Sequence, residues 1–484
     1  MMIAMLHCTL VIAAACALTR ASDLEAAPGS THVLEVSPQI PFNLASFLID
    51  AGETSPFGRI AVLEAQIKPL FEALPKHGRA GLDAESAKYA LRRHFLEHRG
   101  WQVRALGGSN DHTTAWSRSS GLPALSAPGR LADILERAFV GTRYGLRELA
   151  TLAATVEKAV RMDCNELLSA ALAVHGVAEE DLKEEARDLV IQTFMLFYLL
   201  PDTDYSKQTS DSIKGYLGLA ERVYPGWSAT MKWVQDVQRT MKSDQGTLQG
   251  FVEEIVFSYR HVFEDQCSSL RSLLLKLEEP GTGRVLVSKL RSVSPSAHIP
   301  NSIWQFSESN AELRDMGALD ESDLQHPTII ISNYMTADAN CLPSSQIASY
   351  CCMSECDALL AGLEVRFGSH SVSPQQLSEW TSALNISDAA AKQLWAMASS
   401  HSGSLPIHGK AFAQWLHVAF PVKCPRQHDT QGWVASASVA VEAWWHNIRW
   451  VLRNLALFVA AASGLAGLAK IVRPQKSDKD EKVD

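Results

Sequence analysis

The chain has 484 residues and a formal net charge of −9, with 46% apolar and 20% charged residues. That length allows two or three domains of roughly 100–200 residues each, and the composition excludes a disordered chain. The acidic balance excludes a nucleic-acid binder, which needs a basic face for phosphate.

The first 22 residues, "MMIAMLHCTLVIAAACALTRAS", are apolar from Ile3 to Leu18 and then stop. This length suits the core of a signal peptide better than a membrane span. Small residues at Ala15 and Ala17, or at Thr19 and Ala21, offer cleavage points, so residues 1–21 are expected to be removed. Residues 22–103 follow as a helical region, with apolar residues at helical spacing over Ile60–Leu74 and Glu85–Phe95. "RALGGSNDHTTAWSRSSGLPALSAPG" (104–129) is too long for an ordinary connection and is expected to be a flexible linker.

A helical domain is predicted over 130–297, from Leu131–Phe139, Leu146–Val174, Leu182–Leu200, Ser212–Val223, Met231–Met241 and Phe251–Leu277. After "SVSPSAHIPN" comes a Cys-rich α module, 298–430, with helical spacing at Leu359–Phe367 and Ala389–Met397. Strand signals are scarce: "HVLEV" near residue 32 and "PTIIIS" at 327–332. The fold class expected is mostly α.

The C-terminal end carries a juxtamembrane helix, 431–449, and a second apolar run, "WVLRNLALFVAAASGLAGLAKIV" (450–472). Its uncharged centre, Asn454 to Ala469, spans about 24 Å as helix. Arg453 and Lys470 can snorkel to lengthen it, and Trp444, Trp445 and Trp450 suit an interfacial belt. Lys470, Arg473, Lys476, Lys479 and Lys482 suit a cytosolic tail, 473–484. These features predict a single-pass type I membrane protein with its body lumenal or extracellular; a hydrophobic core helix is the competing reading. Ser463/Gly467 and Ala460/Gly464 follow a small-xxx-small spacing that would allow a homodimer. Asn385-Ile386-Ser387 is a glycosylation sequon on the lumenal side.

"LEEPGTGRVLVSKL" (277–290) raises the question of calcium. An EF-hand has a twelve-residue loop with Gly at position 6 and apolar residues flanking it. With Glu278 at position 1, Gly283 falls at position 6 and Val285 at position 8. Leu270, Leu273, Leu274 and Leu277 precede, and Leu290 and Val293 follow. The ligand positions hold Glu278, Pro280, Thr282, Leu286 and Lys289, too few oxygens for the ion. A second copy begins at Pro75, after Ile67, Leu70, Phe71 and Leu74, with Leu82 at position 8 and Ala87, Ala90 and Leu91 beyond. A third follows Leu167, Ala170, Ala171 and Val174, at "HGVAEEDLKEEA". These segments resemble the EF-hand superfamily with decayed ion loops. What the resemblance implies is helix pairing and an apolar groove for a partner helix, with no metal site.

Two cysteines lie in the leader and seven beyond it: Cys164, Cys267, Cys341, Cys351, Cys352, Cys356 and Cys424. Clustered cysteines in an oxidising lumen point to disulfides among Cys341, Cys351, Cys352, Cys356 and Cys424, with connectivity open and one thiol left over. Zinc bound by Cys351, Cys352 or Cys356 with Cys424 and His428 is the competing reading, and it lacks any CxxC pair. The block "PTIIISNYMTADANCLPSSQIASYCCMSEC", followed by "LPIHGKAFAQWLHVAFPVKCPRQH", resembles a family of secretory-pathway membrane proteins from unicellular eukaryotes. That resemblance spans most of 60–428 and implies the topology, without catalytic residues.

No GxSxG, HExxH or dinucleotide-binding fingerprint is present, and "GSLPIHGKA" (403–411) lacks the spacing and hydroxyl of a phosphate loop. His401, His408, His417 and His428 cluster without helical spacing and are expected to be structural or surface residues. The function expected is that of a non-catalytic, membrane-anchored interaction or scaffold protein of unknown protein partner, with no cofactor. The alternative is a calcium-binding sensor or buffer with ion sites in another loop, such as "PDTDYSKQTSD" (201–211).

Overall fold

The computed structural model describes residues 56–427 except 77–80, 108–126, 141–142, 201–206, 225, 242–246, 294–305, 307, 385 and 402. The leader, the sequon asparagine Asn385, His428, the juxtamembrane and membrane segments and the charged tail lie outside them. No helix of the described residues is long and apolar enough to cross a membrane.

The fold is mostly helical. Helices α1 (Pro56–Ala73) and α2 (Ala84–Arg99) lead into strand β1 (Trp101–Val103). Asp83 caps α2 by accepting from the Ser86 amide, and Gly100 closes it in the left-handed conformation at φ 69°. Next come α3 (Ala127–Ala138), α4 (Leu146–His175), α5 (Glu184–Leu199), α6 (Ser210–Leu217), α7 (Ala220–Val223) and α8 (Trp227–Thr240). Helix α9 (Leu248–Ser258) breaks at Tyr259 and restarts as α10 (Arg260–Leu277), where periodicity alone reads one helix.

Strand β2 (Arg284–Leu286), α11 (Val287–Val293), α12 (Asn310–Asp315), β3 (Leu319–Asp320), β4 (Thr328–Ile330) and α13 (Ile331–Met335) follow. The predicted "PTIIIS" strand is therefore only three residues long. The chain continues through β5 (Leu342–Pro343), β6 (Ala348–Tyr350), α14 (Glu355–Phe367), β7 (Ser371–Val372), α15 (Pro374–Thr381), α16 (Asp388–Ser400), β8 (Leu405–Pro406) and α17 (Lys410–Ala419). The predicted linker is partly ordered structure, since Arg104–Leu106 form a 3-10 turn and α3 starts at Ala127.

Helix α4 is the axle. It runs about 45 Å and packs against α1, α3, α5 and α9. From Leu149 to Val160 it is buried on every face, including Glu157, Lys158 and two threonines. Such a helix belongs at a centre rather than a surface. The charge on Glu157 is matched there by Arg59, at 2.6 Å from Nε, and by Arg99 at 3.1 Å.

Three antiparallel contacts organise the rest. Leu82 and Tyr144 exchange two backbone hydrogen bonds of 2.9 Å, joining the loop between α1 and α2 to the loop between α3 and α4. Val285 pairs with Ile329, joining the loop after α10 to the segment between α12 and α13. Val372 pairs with Leu405, joining α14–β7–α15 to α16–β8–α17. Beneath the third pair lies a core that includes Leu360, Leu363, Leu394, Phe412, Trp415 and Leu416. Trp415 Nε1 donates to Ala390 O at 2.8 Å, so the one polar atom of that ring is satisfied.

A further sheet, ordered β1-β6-β5, ties the first part of the chain to the last, with Trp101 opposite Tyr350 and Val103 opposite Ala348. Three disulfides reinforce these joins: Cys267–Cys352, Cys341–Cys351 and Cys356–Cys424, with sequence separations of 85, 10 and 68. Loop-closure entropy makes the two long bridges worth about 4–5 kcal/mol each and the short one about 3 kcal/mol.

Candidate functional site

The loop after α10 is built from its own side chains. Helix α10 buries Phe263, Cys267, Leu270 and Leu274, one stripe at helical spacing. At the loop's start the Glu278 carboxylate accepts from the Gly283 amide at 2.7 Å. The Thr282 hydroxyl donates to Glu279 O at 2.7 Å and accepts from the Arg284 amide at 3.1 Å. The guanidinium of Arg284 folds back onto Thr282 O at 3.1 Å and pairs with Asp320 at 3.0 Å. One loop carboxylate and several loop carbonyls, Glu279 O and Thr282 O among them, are thus committed to protein donors. Lys289, at the last loop position, points to solvent. Val285 is fully buried and carries the pairing to Ile329, while Gly283 O accepts from the Ile331 amide at 2.9 Å.

Gly283 has a second duty. Its φ is +68°, and a Cβ there would collide with the Pro421 carbonyl, lying 2.6 Å from its carbon and 2.9 Å from the Val422 amide. The segment after α17 therefore lies directly on the loop. It is held by Ser332 Oγ donating to Cys424 O at 3.0 Å and by two 2.7 Å bonds between the Asn333 amide group and the Arg426 backbone. Asp320 joins both pieces, with Arg426 at 3.4 Å opposite Arg284. Burial pushes the Asp320 carboxyl up, but the Ser322 amide and the Arg284 guanidinium outweigh it and hold it below the usual range.

The earlier copy at Pro75 contributes Leu82, fully buried, with Ile67, Leu70 and Leu74 buried before it and Ala87, Ala90 and Leu91 after it. At the third candidate, α4 ends at Gly176 with φ 63°, and a 3-10 turn at Glu179–Asp181 follows. No strand pairing involves that segment among the described residues. Of the acidic 201–211 stretch, only 207–211 are described, and no cluster of His, Cys, Asp and Glu suited to a metal occurs among the described residues.

All five cysteines of the cluster are disulfide-bonded, and Cys267, 74 residues upstream of Cys341, supplies the sixth sulfur. The leftover thiol is Cys164, buried in α4, and burial pushes its pKa well up. This corrects the zinc alternative, because bridged sulfurs offer no thiolate. Among the described residues, His401, His408 and His417 join no metal-binding group. His401 is exposed, His417 Nδ1 lies 2.8 Å from Cys424 O, and His408 is buried with Nε2 2.9 Å from Glu364. Glu364 also faces Arg93 at 3.5 Å, and Arg93 reaches Glu97 at 2.5 Å. This buried network fastens α14 and the β8–α17 turn to α2. Sequence reading missed it because its members lie up to 315 residues apart.

Comparison with models of protein families, with curated proteins and with solved structures finds no match.

Proposed function

We propose that the chain is a non-catalytic, membrane-anchored interaction or scaffold protein with its body in the lumen or outside the cell. It uses EF-hand-like helix pairs that carry no functional calcium loop, and its membrane segment is residues 450–472. The observation that carries the reading is the repeated antiparallel contact between two helix–loop–helix units. Leu82 and Val285, the residues that EF-hand spacing puts at loop position 8, each make one. Val372 makes a third in the Cys-rich module.

A loop that satisfies its own carboxylate and carbonyls needs no ion to hold its shape, so its helix pair stays in one arrangement. Calcium sensors instead change interhelical angle on binding. The closed Glu278–Gly283 turn and the Arg284 guanidinium over Thr282 O support the first behaviour.

A calcium titration by calorimetry on the disulfide-intact body, residues 22–443, with magnesium as control, tests this. No saturable heat up to millimolar calcium is expected. Saturable, calcium-selective binding would replace the reading with that of a sensor or buffer.

A further inference from the structure

We propose that Cys341–Cys351 is a reversible thiol–disulfide exchange site for a small thiol, while the other two bridges are structural. The proposal is independent of the function argued above. A cleft of about 270 Å³ opens beside α10, lined by Arg260, Phe263, Cys267, Cys351, Met353 and Glu355 among others. Cys351 lies in its wall but is buried at 8% exposure, as is Cys267 of a second bridge at 9%; Cys341, half-buried, is the sulfur of this bridge nearer solvent. Arg260, a quarter exposed, brings a guanidinium to the cleft, with Nη2 3.5 Å from Met353 Sδ. Its charge is shared with Glu264 at 3.7 Å, and Glu355 also lines the cleft, so the attacking thiolate must be supplied by the entering thiol itself.

Both sulfurs already face hydrogen-bond acceptors they cannot use while bridged. Cys351 Sγ is 3.1 Å from Gln102 Oε1, and Cys341 Sγ is 3.8 Å from Ala337 O. Gln102 is oriented by its Nε2, which donates to Asp338 Oδ1 at 2.7 Å and leaves the oxygen toward the sulfur. When the bond opens the two sulfurs must move apart, and each then has an acceptor beside it for its proton.

The fold does not depend on this bridge. It spans ten residues at the end of a hairpin, the smallest loop of the three. With it open, β6 is still paired on both edges, and Tyr350 is still buried with its hydroxyl donating to Val256 O at 2.6 Å. Cys267–Cys352 and Cys356–Cys424 join distant elements, and Cys424 is fully buried.

The chemistry balances with a thiol as co-reactant. A thiolate attacks Cys351 Sγ, forming a mixed disulfide as the bond to Cys341 breaks and Cys341 leaves as a thiolate, which takes up a proton. A second thiolate attacks the outer sulfur of the mixed disulfide and releases Cys351. The sum is two thiols oxidised to one small disulfide and one protein disulfide reduced to two thiols.

The full-length chain is equilibrated in mixtures of reduced and oxidised dithiothreitol, acid-quenched, alkylated and analysed by peptide mass spectrometry. Cys341 and Cys351 should reach half-reduction at a reduced-to-oxidised ratio at least tenfold lower than the other pairs, with helicity unchanged by circular dichroism. Three pairs opening together, or this pair opening last, would overturn the proposal. Gln102→Leu should raise the ratio needed for this pair alone by about three- to tenfold, the worth of one hydrogen bond; an unmoved midpoint removes the acceptor argument and overturns it. The double variant Cys341→Ser/Cys351→Ser should fold and retain the other two bridges, and its failure to do so would make the bridge structural.

Discussion

Replacing Gly283 by alanine tests whether the segment after α17 is seated on the loop as described. Two penalties combine. At φ +68° an L-residue costs about 1–2 kcal/mol. The new methyl also meets backbone atoms of Pro421 and Val422, which cannot rotate away. Relieving it requires lifting that segment, which strains or breaks the bond from Ser332 to Cys424 O and the two bonds between Asn333 and Arg426. At about 0.5–1.5 kcal/mol each, those three add about 1.5–4.5 kcal/mol. Gly281 is the control: its φ is +74°, yet a Cβ there would meet nothing within 4 Å. Gly281→Ala should therefore cost about 1–2 kcal/mol and Gly283→Ala about 3–6 kcal/mol. Urea unfolding of the disulfide-intact body, followed by circular dichroism, measures both. Equal losses in the two variants would show that the segment does not rest on Gly283, and the reasoning would fail.

Asp163 is buried in α4; burial first and the nearby Glu166 next push its carboxyl up to about 7, against Ser345 and Arg104, which lower it. A folded pKa raised in this way contributes stability that is complete below the usual 3.8 and lost as pH rises through about 7, about 4 kcal/mol in all. Asp163→Asn should flatten the fall in denaturant stability between pH 4 and 8, and parallel profiles for variant and parent would refute the assignment. Glu364→Ala leaves His408 Nε2 without its carboxylate and removes one partner of Arg93, which keeps Glu97, and should cost about 1–3 kcal/mol, with faster hydrogen exchange in both α2 and α14; exchange rising in α14 alone would break the claimed join. Alkylating the non-reduced body should label no cysteine when native and one, Cys164, after denaturation. Five or more reactive thiols would sink the stapled fold.

What could be read from the sequence was local. The helices around Leu82 and Val285 announce themselves by apolar spacing within about twenty residues, and both residues do lead strand contacts. Their partners, Tyr144 and Ile329, lie 62 and 44 residues away; Ile329 sits in the "PTIIIS" strand signal, but nothing local joins it to Val285, and Tyr144 carries no mark. The third pair, Val372 with Leu405, carries no acids in either loop; Gly403 keeps before Leu405 the spacing that Gly283 keeps before Val285, but His370 stands at the matching place before Val372. Cys267 stands 74 residues before the cluster it joins, and distance along the chain hides a neighbour in space. Charge pairs such as Glu364 with Arg93 leave no sequence pattern at all, since any surface helix carries similar residues.

The pairing of β1 with β6 also sets a timetable. Trp101, almost fully buried, has its strand partner at Tyr350, about 250 residues later. At synthesis rates of about 5–20 residues per second, the ribosome needs about 12–50 s to supply the second strand after the first. Through that interval Trp101 and the unpaired edge of β1 are without their cover, which is the condition under which nascent chains aggregate. Cys267 likewise waits for Cys352 while Cys164 is already present. Completion of the β1–β6 pairing, and of the bridge between Cys267 and Cys352, therefore cannot precede synthesis of the later half of the chain.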